Sequence, residues 1–519
     1  MREAFPPDGV AEQSRFCDPA PTILRALRAV LPKLDGAFTL CGMTGDGWAF
    51  AVRDAHGIRP GWYHASPRAV AVASERPAIQ AALDCPTDAV RELPPGVALL
   101  VSPAGEVRFE RVLEPADPRP CVFERSYFSR ANDADIHRER KALGAALAAP
   151  RLRAVGNDLE NTFFSYIPNS AQVAFHGLLE ALWTEGLAEG RPVRFGQVAV
   201  KDAKFRTFIA DAAARREIGK HVYDVTYGLV RPGVDTLVVL DDSIVRGTTM
   251  REAILPMLDR LGPKRIVVAS SAPPIRYPDC YGIDMSTLGE LVAFRALENL
   301  LGDEAEAALR DALETLSHAE SAVSESHAES AENAESESHA ESAENAEPGS
   351  SHVSRLASLF PHAESAENAE TSSFAAERHP SFAPQAHPSF VAERHPSFGN
   401  PLAALYARFS DAEHAAEIAR LLTPPGMRAE VSVVYQTVPA LHSALSARGT
   451  PPPAASNGGE AAFERAQSAL GTPATPASNA RDARFGDWYF TGDYPTPGGY
   501  RVLRTALANY LSCSADRSY

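Results

Sequence analysis

The sequence predicts an α/β fold built on a parallel sheet, and three neighbouring stretches carry that prediction. VDTLVVL (234–240) is an apolar run of strand length. TTMREAILPMLDRLG (248–262) has helical spacing. RIVVASS (265–271) is a second apolar run. Strand, helix and strand joined by short loops imply a parallel α/β sheet. Gly262 ends the helix, and Pro256 is expected to kink it.

The other elements follow in chain order. Residues 36–110 are expected to be β-rich, because GAFTLCGM, WAFAVRD and AVAVASE are short apolar runs divided by Gly and charge. Residues 121–316 alternate helical and strand patterns around the stretch above. A third block opens at SDAE (410–413), a capping box ahead of the helical pattern HAAEIARLL. VSVVYQTV (431–438) reads as a strand, and a Gly- and aromatic-rich tail (485–500) closes the block.

Two stretches do not read as folded. Residues 317–398 repeat HAESAENAE three times and HPSF three times. Their large apolar residues are too few to offset the entropy of ordering, so they read as a disordered insertion. The Pro-, Ala- and Ser-rich segment 447–482 reads as a flexible linker.

Composition excludes several classes. No apolar run approaches the roughly 18 residues of a membrane span, and MREAFPPDGV lacks the form of a signal peptide. The six Cys (17, 41, 85, 121, 280, 513) are scattered without a CxxC pair, which fits a reduced, cytoplasmic protein with no zinc site. Residues 317–370 hold twelve Glu and one Arg, and so carry −11 of the chain's −16. The remainder is near neutral, which leaves no electrostatic case for nucleic-acid binding.

The chemistry concentrates in TLVVLDDSIVRGTTM (236–250). Ligands of open α/β sheets bind beyond the carboxyl ends of the strands, and Asp241 and Asp242 sit at such an end. Backbone N–H groups at the following helix start, the Thr248 and Thr249 hydroxyls and Gly247 make a phosphate cradle. Two carboxylates cannot face that phosphate. They suit hydroxyls a few ångströms away, or Mg²⁺. A ribose 5-phosphate satisfies both halves. A solvated acidic pair beside a capped helix is the bland alternative, and a phospho-acceptor domain has no use for RGTT behind its acids. With neither GxxxxGK[ST] nor GxGxxG present, a P-loop or dinucleotide fold has no support.

VVLDDSIVRGTT resembles the phosphoribosyl-pyrophosphate (PRPP) motif of type I phosphoribosyltransferases. RDAHGIRP (53–60), VASE (72–75), PCVFERSYFSR (120–130), KFRTFI (204–209), SSAPPIRYPDCYGIDM (270–285) and WYFTGDYPTP (488–497) look, in that order, like the glutamine PRPP amidotransferase family. The resemblance implies a bifunctional enzyme of purine synthesis. A glutaminase of the N-terminal-nucleophile type, α+β in fold, releases ammonia, and a phosphoribosyltransferase domain adds it to C1 of PRPP, giving phosphoribosylamine and pyrophosphate. On this likeness Asp241 and Asp242 hold the ribose hydroxyls and Mg²⁺, while Ser243, Arg246, Gly247, Thr248 and Thr249 hold the 5-phosphate. Lys204 and Arg206 belong to a loop that closes over the pyrophosphate. Closure excludes water from an oxocarbenium-like transition state. The implied division is 1–120 as a partial glutaminase domain, 121–316 as the transferase, 317–398 as the insertion, 399–446 as a C-terminal α/β block, 447–482 as a linker and 483–519 as a tail packed on the transferase. Purine nucleotides as inhibitors and a homo-oligomer are further family expectations.

The sequence departs from the family in three places. The family nucleophile is a Cys at the first position of the mature chain, whereas here the likeness begins near Asp35. Cys17 has no matching context, and Cys41 sits inside a strand pattern as a small apolar residue. The chain is therefore expected to lack glutaminase activity. The pyrophosphate loop, something like PVPDSG in the family, is FSYIPNSAQVAFHG (164–177). Ser170 is kept and suits Mg²⁺ or pyrophosphate, but Asn169 replaces Asp, and Ala171 replaces a Gly that usually permits a strained backbone. Cys121 and Cys280 match only two positions of a four-Cys iron–sulfur site, so no cluster is expected. Two other functions stay open: an ammonia-dependent phosphoribosyltransferase and a non-catalytic nucleotide-binding module.

Overall fold

The computed structural model describes residues 20–114, 116–184, 188–201, 223–318, 400–446 and 485–515. Cys17, Lys204, Arg206, the linker 447–482 and all of the repeat insertion beyond His318 lie outside them. The strands and helices of the fold belong to one compact unit.

The β-rich block is a sandwich. Strands β1 (Thr39–Met43), β2 (Ala49–Arg53), β6 (Val97–Val101) and β7 (Val107–Arg111) form an antiparallel sheet in the order β1-β2-β6-β7. Strands β3 (Trp62–Ala65), β4 (Val70–Ala73) and β5 (Arg91–Glu92) form a second, ordered β4-β3-β5. Side chains alternate across β2 and β6. Phe50, Val52, Ala98 and Leu100 pack against the helix Ala20–Val30, and Ala51 and Leu99 pack toward Tyr63 of the second sheet. All three predicted strands form. Cys41 lies in β1 as expected, but β1 is an outer strand and its thiol is exposed rather than packed. Met43 on the same strand is 77% exposed, and Leu40, Leu34 and Val30 are exposed too.

The transferase-like part is a five-stranded sheet, parallel throughout. It contains β8 (Thr162–Tyr166), β9 (Arg194–Phe195), β12 (Thr236–Asp241), β13 (Arg265–Ser270) and β14 (Glu430–Val434), in the spatial order β9-β8-β12-β13-β14. Ranked by sequence this is 2-1-3-4-5, so the strand order reverses between β8 and β12. An antiparallel pair, β10 (Ala199–Lys201) and β11 (Tyr223–Val225), brackets the stretch that holds Lys204 and Arg206.

Local expectations are met with two adjustments. The chain is helical from Thr248 to Asp259, but Met250–Ile254 forms a π-turn just ahead of Pro256. The wider turn absorbs the N–H that proline lacks, in place of a sharp kink. The strand expected over 431–438 stops at Val434, and Val438–Ser446 is a helix. Pro439 suits the first turn of a helix. The capping box at 410–413 closes both ways: the Glu413 N–H donates to Ser410 Oγ at 3.2 Å, and the Ser410 N–H to Glu413 Oε2 at 2.8 Å.

The aromatic tail enters the core rather than lying over it. Trp488 and Tyr489 are fully buried. Trp488 Nε1 donates to Asp279 at 2.8 Å, the Phe123 N–H donates to the Tyr489 hydroxyl at 2.8 Å, and Tyr494 donates to the Pro278 carbonyl at 2.7 Å. Among the described residues no helix is long and apolar enough to cross a membrane.

Tyr489→Phe leaves the buried Phe123 N–H without its acceptor. We expect a loss of about 1–3 kcal/mol in urea unfolding, the cost of one unsatisfied buried donor. An unchanged midpoint would show that the tail contributes through packing alone.

Candidate functional site

Strands β8 and β12 are paired in parallel, Leu240 opposite Tyr166, so their carboxyl ends finish side by side at the reversal point. Beyond β8 the chain turns through Pro168, Asn169, Ser170 and Ala171 into the helix Gln172–Thr184. Beyond β12 it continues from Asp241, the strand's last residue, through Asp242 and Ser243. The two turns meet: the Ser170 hydroxyl donates to Asp242 Oδ2. Ser243 Oγ donates to Asp242 Oδ1 at 3.0 Å, and the Asp242 N–H to Asp241 Oδ1 at 2.9 Å. Just past the end of β13, the Ser271 N–H donates to the Asp241 carbonyl at 2.9 Å, and Ser271 Oγ to the Asp242 carbonyl at 3.1 Å.

Burial decides the electrostatics. Asp242 is 8% exposed. Desolvation, followed by the charge of Asp242, pushes the Asp241 carboxyl well above its ordinary range. Asp242 is raised as well, by desolvation, and the hydroxyls of Ser170 and Ser243 and the charge of Arg140 hold that rise in check. The pair is thus strained toward a proton, a cation or a donor such as a diol.

The expected phosphate cradle is partly assembled. Gly247 has φ +73°, and Thr248 and Thr249 begin the helix with exposed hydroxyls that have no protein partner among the described residues. Arg246 is engaged elsewhere, with Glu290 at 2.6 Å and Asp284 at 3.2 Å. Sequence reasoning had no sign of those distant partners. Ala171 raises no conformational difficulty. It is absent from the positive-φ residues, is buried, and accepts the Phe175 N–H at 2.9 Å as the helix starts.

Two residues near the acids were missed. Arg140 is 3% exposed and donates to the carbonyls of Arg125 at 3.0 Å and Ser129 at 2.7 Å. Burial lowers its pKa, against the pull of the Asp242 charge. In DADIHRERKALG it reads as one more solvated helix charge, so no sequence signal marks it. Tyr127 lies on the turn that Arg140 holds. Burial, then the charges of Asp242 and Asp241, raise its hydroxyl.

Three of the described cysteines, Cys41, Cys121 and Cys280, are not set up as nucleophiles. Cys121 is buried 3.7 Å from the Tyr489 hydroxyl, and desolvation pushes its thiol and that of Cys280 up to about 12. Cys41, exposed on its outer strand, is raised by partial desolvation. A reactive thiol needs the opposite shift. Among the described residues no group of three or more His, Cys, Asp or Glu is gathered as for a metal.

The order of the strands and the acidic pair at the reversal point define an open α/β domain of the class whose ligands bind at the switch point. Comparison with known proteins sharpens that class. The chain is 34% identical over 298 residues to an amidophosphoribosyltransferase of Mycobacterium bovis, covering 56% of this chain and 51% of that protein. It is 32% identical over 283 residues to the amidophosphoribosyltransferase of Bacillus subtilis, covering 52% and 54%. A solved structure, glutamine PRPP amidotransferase from B. subtilis complexed with ADP and GMP, aligns at 30% identity with a TM-score of 0.43, over 56% of this chain and 59% of that one. No protein-family profile matches the chain. The chain is related by sequence to the amidophosphoribosyltransferases, and it spans about half the length of the curated relatives it matches.

Two outcomes test the site's geometry. Both acids titrate higher in the folded chain than the ordinary value near 4. The folded form then keeps protons that the unfolded chain has lost, and stability falls as pH rises through that interval. Asp241→Asn is therefore expected to raise the thermal midpoint at pH 7, with the gain disappearing below about pH 4. A gain that persists at acid pH would contradict the repulsion. At Gly247, an added Cβ would sit 2.3 Å from Leu422 Cδ2. Gly247→Ala should cost roughly 1–2 kcal/mol for the left-handed backbone, plus the overlap. Combining it with Leu422→Ala should cost less than the sum of the two, read by denaturant unfolding.

Proposed function

We propose that this chain carries the phosphoribosyl-transfer step of an amidophosphoribosyltransferase of purine synthesis, converting PRPP and ammonia to 5-phosphoribosylamine and pyrophosphate. The observation that carries the reading is the hydrogen-bonded junction of Ser170, Asp242 and Ser243 at the switch point, with the Thr248 and Thr249 hydroxyls free at the next helix start. The acids take the ribose 2- and 3-hydroxyls, which donate to them and relieve their repulsion. Backbone N–H groups of 247–249 and the Thr hydroxyls take the 5-phosphate. Ammonia attacks C1 as the bond from C1 to the pyrophosphate oxygen breaks, and the surplus proton passes to solvent. The stretch bearing Lys204 and Arg206 covers the pyrophosphate.

Magnesium fits this donor set. All the candidate donors are hard oxygens, and the raised carboxyls of Asp241 and Asp242 favour a cation. Asp241, Asp242 and Ser170 would be the residues that hold it. When bound, magnesium neutralises the pyrophosphate so that it leaves without a general acid.

The glutaminase half is inactive in this reading, because Cys41, Cys121 and Cys280 have thiols raised by burial. A cytoplasmic location, purine nucleotides as ligands and a homo-oligomeric assembly belong to the same reading.

The test is pyrophosphate release from Mg²⁺–PRPP by the full chain. Ammonium should support it and glutamine should not. Asp242→Asn should reduce it by at least a hundredfold, about 2.7 kcal/mol of barrier. Glutamate release matched to pyrophosphate would overturn the inactive glutaminase. Failure to bind Mg²⁺–PRPP would overturn the site assignment itself.

A further inference from the structure

The loop after β12 has a second face. Next to it lies a cavity of about 240 Å³, bounded by Thr248 and Arg251, by Val292 and Arg295 on the helix Val292–Leu301, and by Leu421 and Leu422 at the end of the helix Asp411–Leu422. None of Asp241, Asp242, Ser170, Ser243 or Thr249 lines it. The Cβ direction of Gly247 points toward Leu422 and Val292, so this is the side of the loop that packs on the two helices.

Its charges are unbalanced. Arg251 donates Nη1 to the Leu421 carbonyl at 3.2 Å and has no carboxylate partner among the described residues. The Arg295 guanidinium is half-buried, with no hydrogen bond or ion pair among them. Arg246, at the rim, is already neutralised by Glu290 and Asp284. The one acid in the lining, Glu252, is exposed. Two guanidiniums therefore face a small cavity whose other wall is Val292, Leu421 and Leu422. An apolar wall strengthens any charge–charge attraction there. Planar guanidinium forks match the paired oxygens of a phosphate or a carboxylate.

We infer that this cavity is a second anion site, taking a phosphate group through Arg251 and Arg295, back to back with the switch-point site. The inference stands whether or not the switch-point site binds PRPP. An anion held here lies against Gly247 and Thr248, and so braces the loop whose other face is offered to the ribose phosphate. Such coupling is reciprocal: each ligand tightens the other.

The experiment is calorimetric titration of the full chain with inorganic phosphate at constant ionic strength, without magnesium or PRPP. One arginine-dependent saturable site is expected, apart from any phosphate taken by the 247–249 cradle. Arg251→Gln and Arg295→Gln should each weaken it at least tenfold, with unchanged circular dichroism, and Arg295→Lys should recover most of the affinity. Asp242→Asn should leave it unchanged. Ribose 5-phosphate as a second probe separates sources: arginine-dependent binding of both marks a site for phosphate monoesters, and of inorganic phosphate alone a site for the free ion. Absence of binding, or binding indifferent to both Gln variants, overturns the inference. So does strict competition with Mg²⁺–PRPP, which would make the cavity one end of the first site. If Mg²⁺–PRPP does not bind while phosphate still does, the phosphoribosyl reading falls and the second anion site stands.

Discussion

The hydrogen bond from Ser170 to Asp242 ties together the two turns on which the site depends. One turn follows β8 and the other follows β12. Neither has a reason of its own to hold a carboxylate in a buried place. Parallel pairing brings the strand ends level, and the hydroxyl then shares the cost of burying the acid. Ser271, just past the end of β13, fixes both acid carbonyls from beside a third strand. A charge buried without such partners would neutralise itself by taking a proton. Here the hydroxyls oppose that shift only in part, and the remaining repulsion is what a cation or a diol would release.

A second constraint joins the β-rich block to this sheet through one turn. Residues 124–130 carry Tyr127 and are held from several directions. Arg59 of the β-rich block reaches Glu124 at 2.6 Å and the Tyr281 carbonyl at 3.1 Å. Arg125 pairs with Glu139, and Arg140 holds the carbonyls of Arg125 and Ser129. Glu75, just past β4, accepts the Arg130 N–H at 3.0 Å. Arg76 pairs with Asp133 at 2.7 Å, at the start of the helix that bears Glu139 and Arg140. These ions are mostly buried and mutually compensated, so their value lies in fixing geometry more than in adding stability. The β-rich block thus has a structural task at the switch-point site, separate from any chemistry of its own.

The tail completes that arrangement. Gly486 pairs with Cys121 in a parallel bridge, and the Tyr489 carbonyl accepts the N–H groups of Arg276 and Tyr277. The Tyr489 ring meets Phe123 edge-on at 4.7 Å. A segment more than three hundred residues away in the chain therefore walls the stretch that leads into the 124–130 turn. Cys121 and Cys280 fill part of the same core, which accounts for their raised thiols.

Much of this was legible beforehand, because period and punctuation are local. The runs at 236–240 and 265–270, the capping box at Ser410 and the acid–hydroxyl order of DDSIVRGTT depend on neighbours a few residues apart. The helix at 438–446 was missed because VSVVYQTV is apolar enough for a strand, and only the pairing edge of β13 decides where that strand stops. What sequence alone determined was which chemical groups sit at the end of β12. What the tertiary structure decided was which of them are buried, which are paired away and which face one another. Ser170 reached Asp242, Arg246 went to Glu290, Arg140 was buried on the carbonyls of Arg125 and Ser129 within the pull of the Asp242 charge, and Arg251 and Arg295 were left lining a cavity. Each outcome turns on burial and on partners distant in the chain, and desolvation is a property of the packed whole that no short stretch of residues contains.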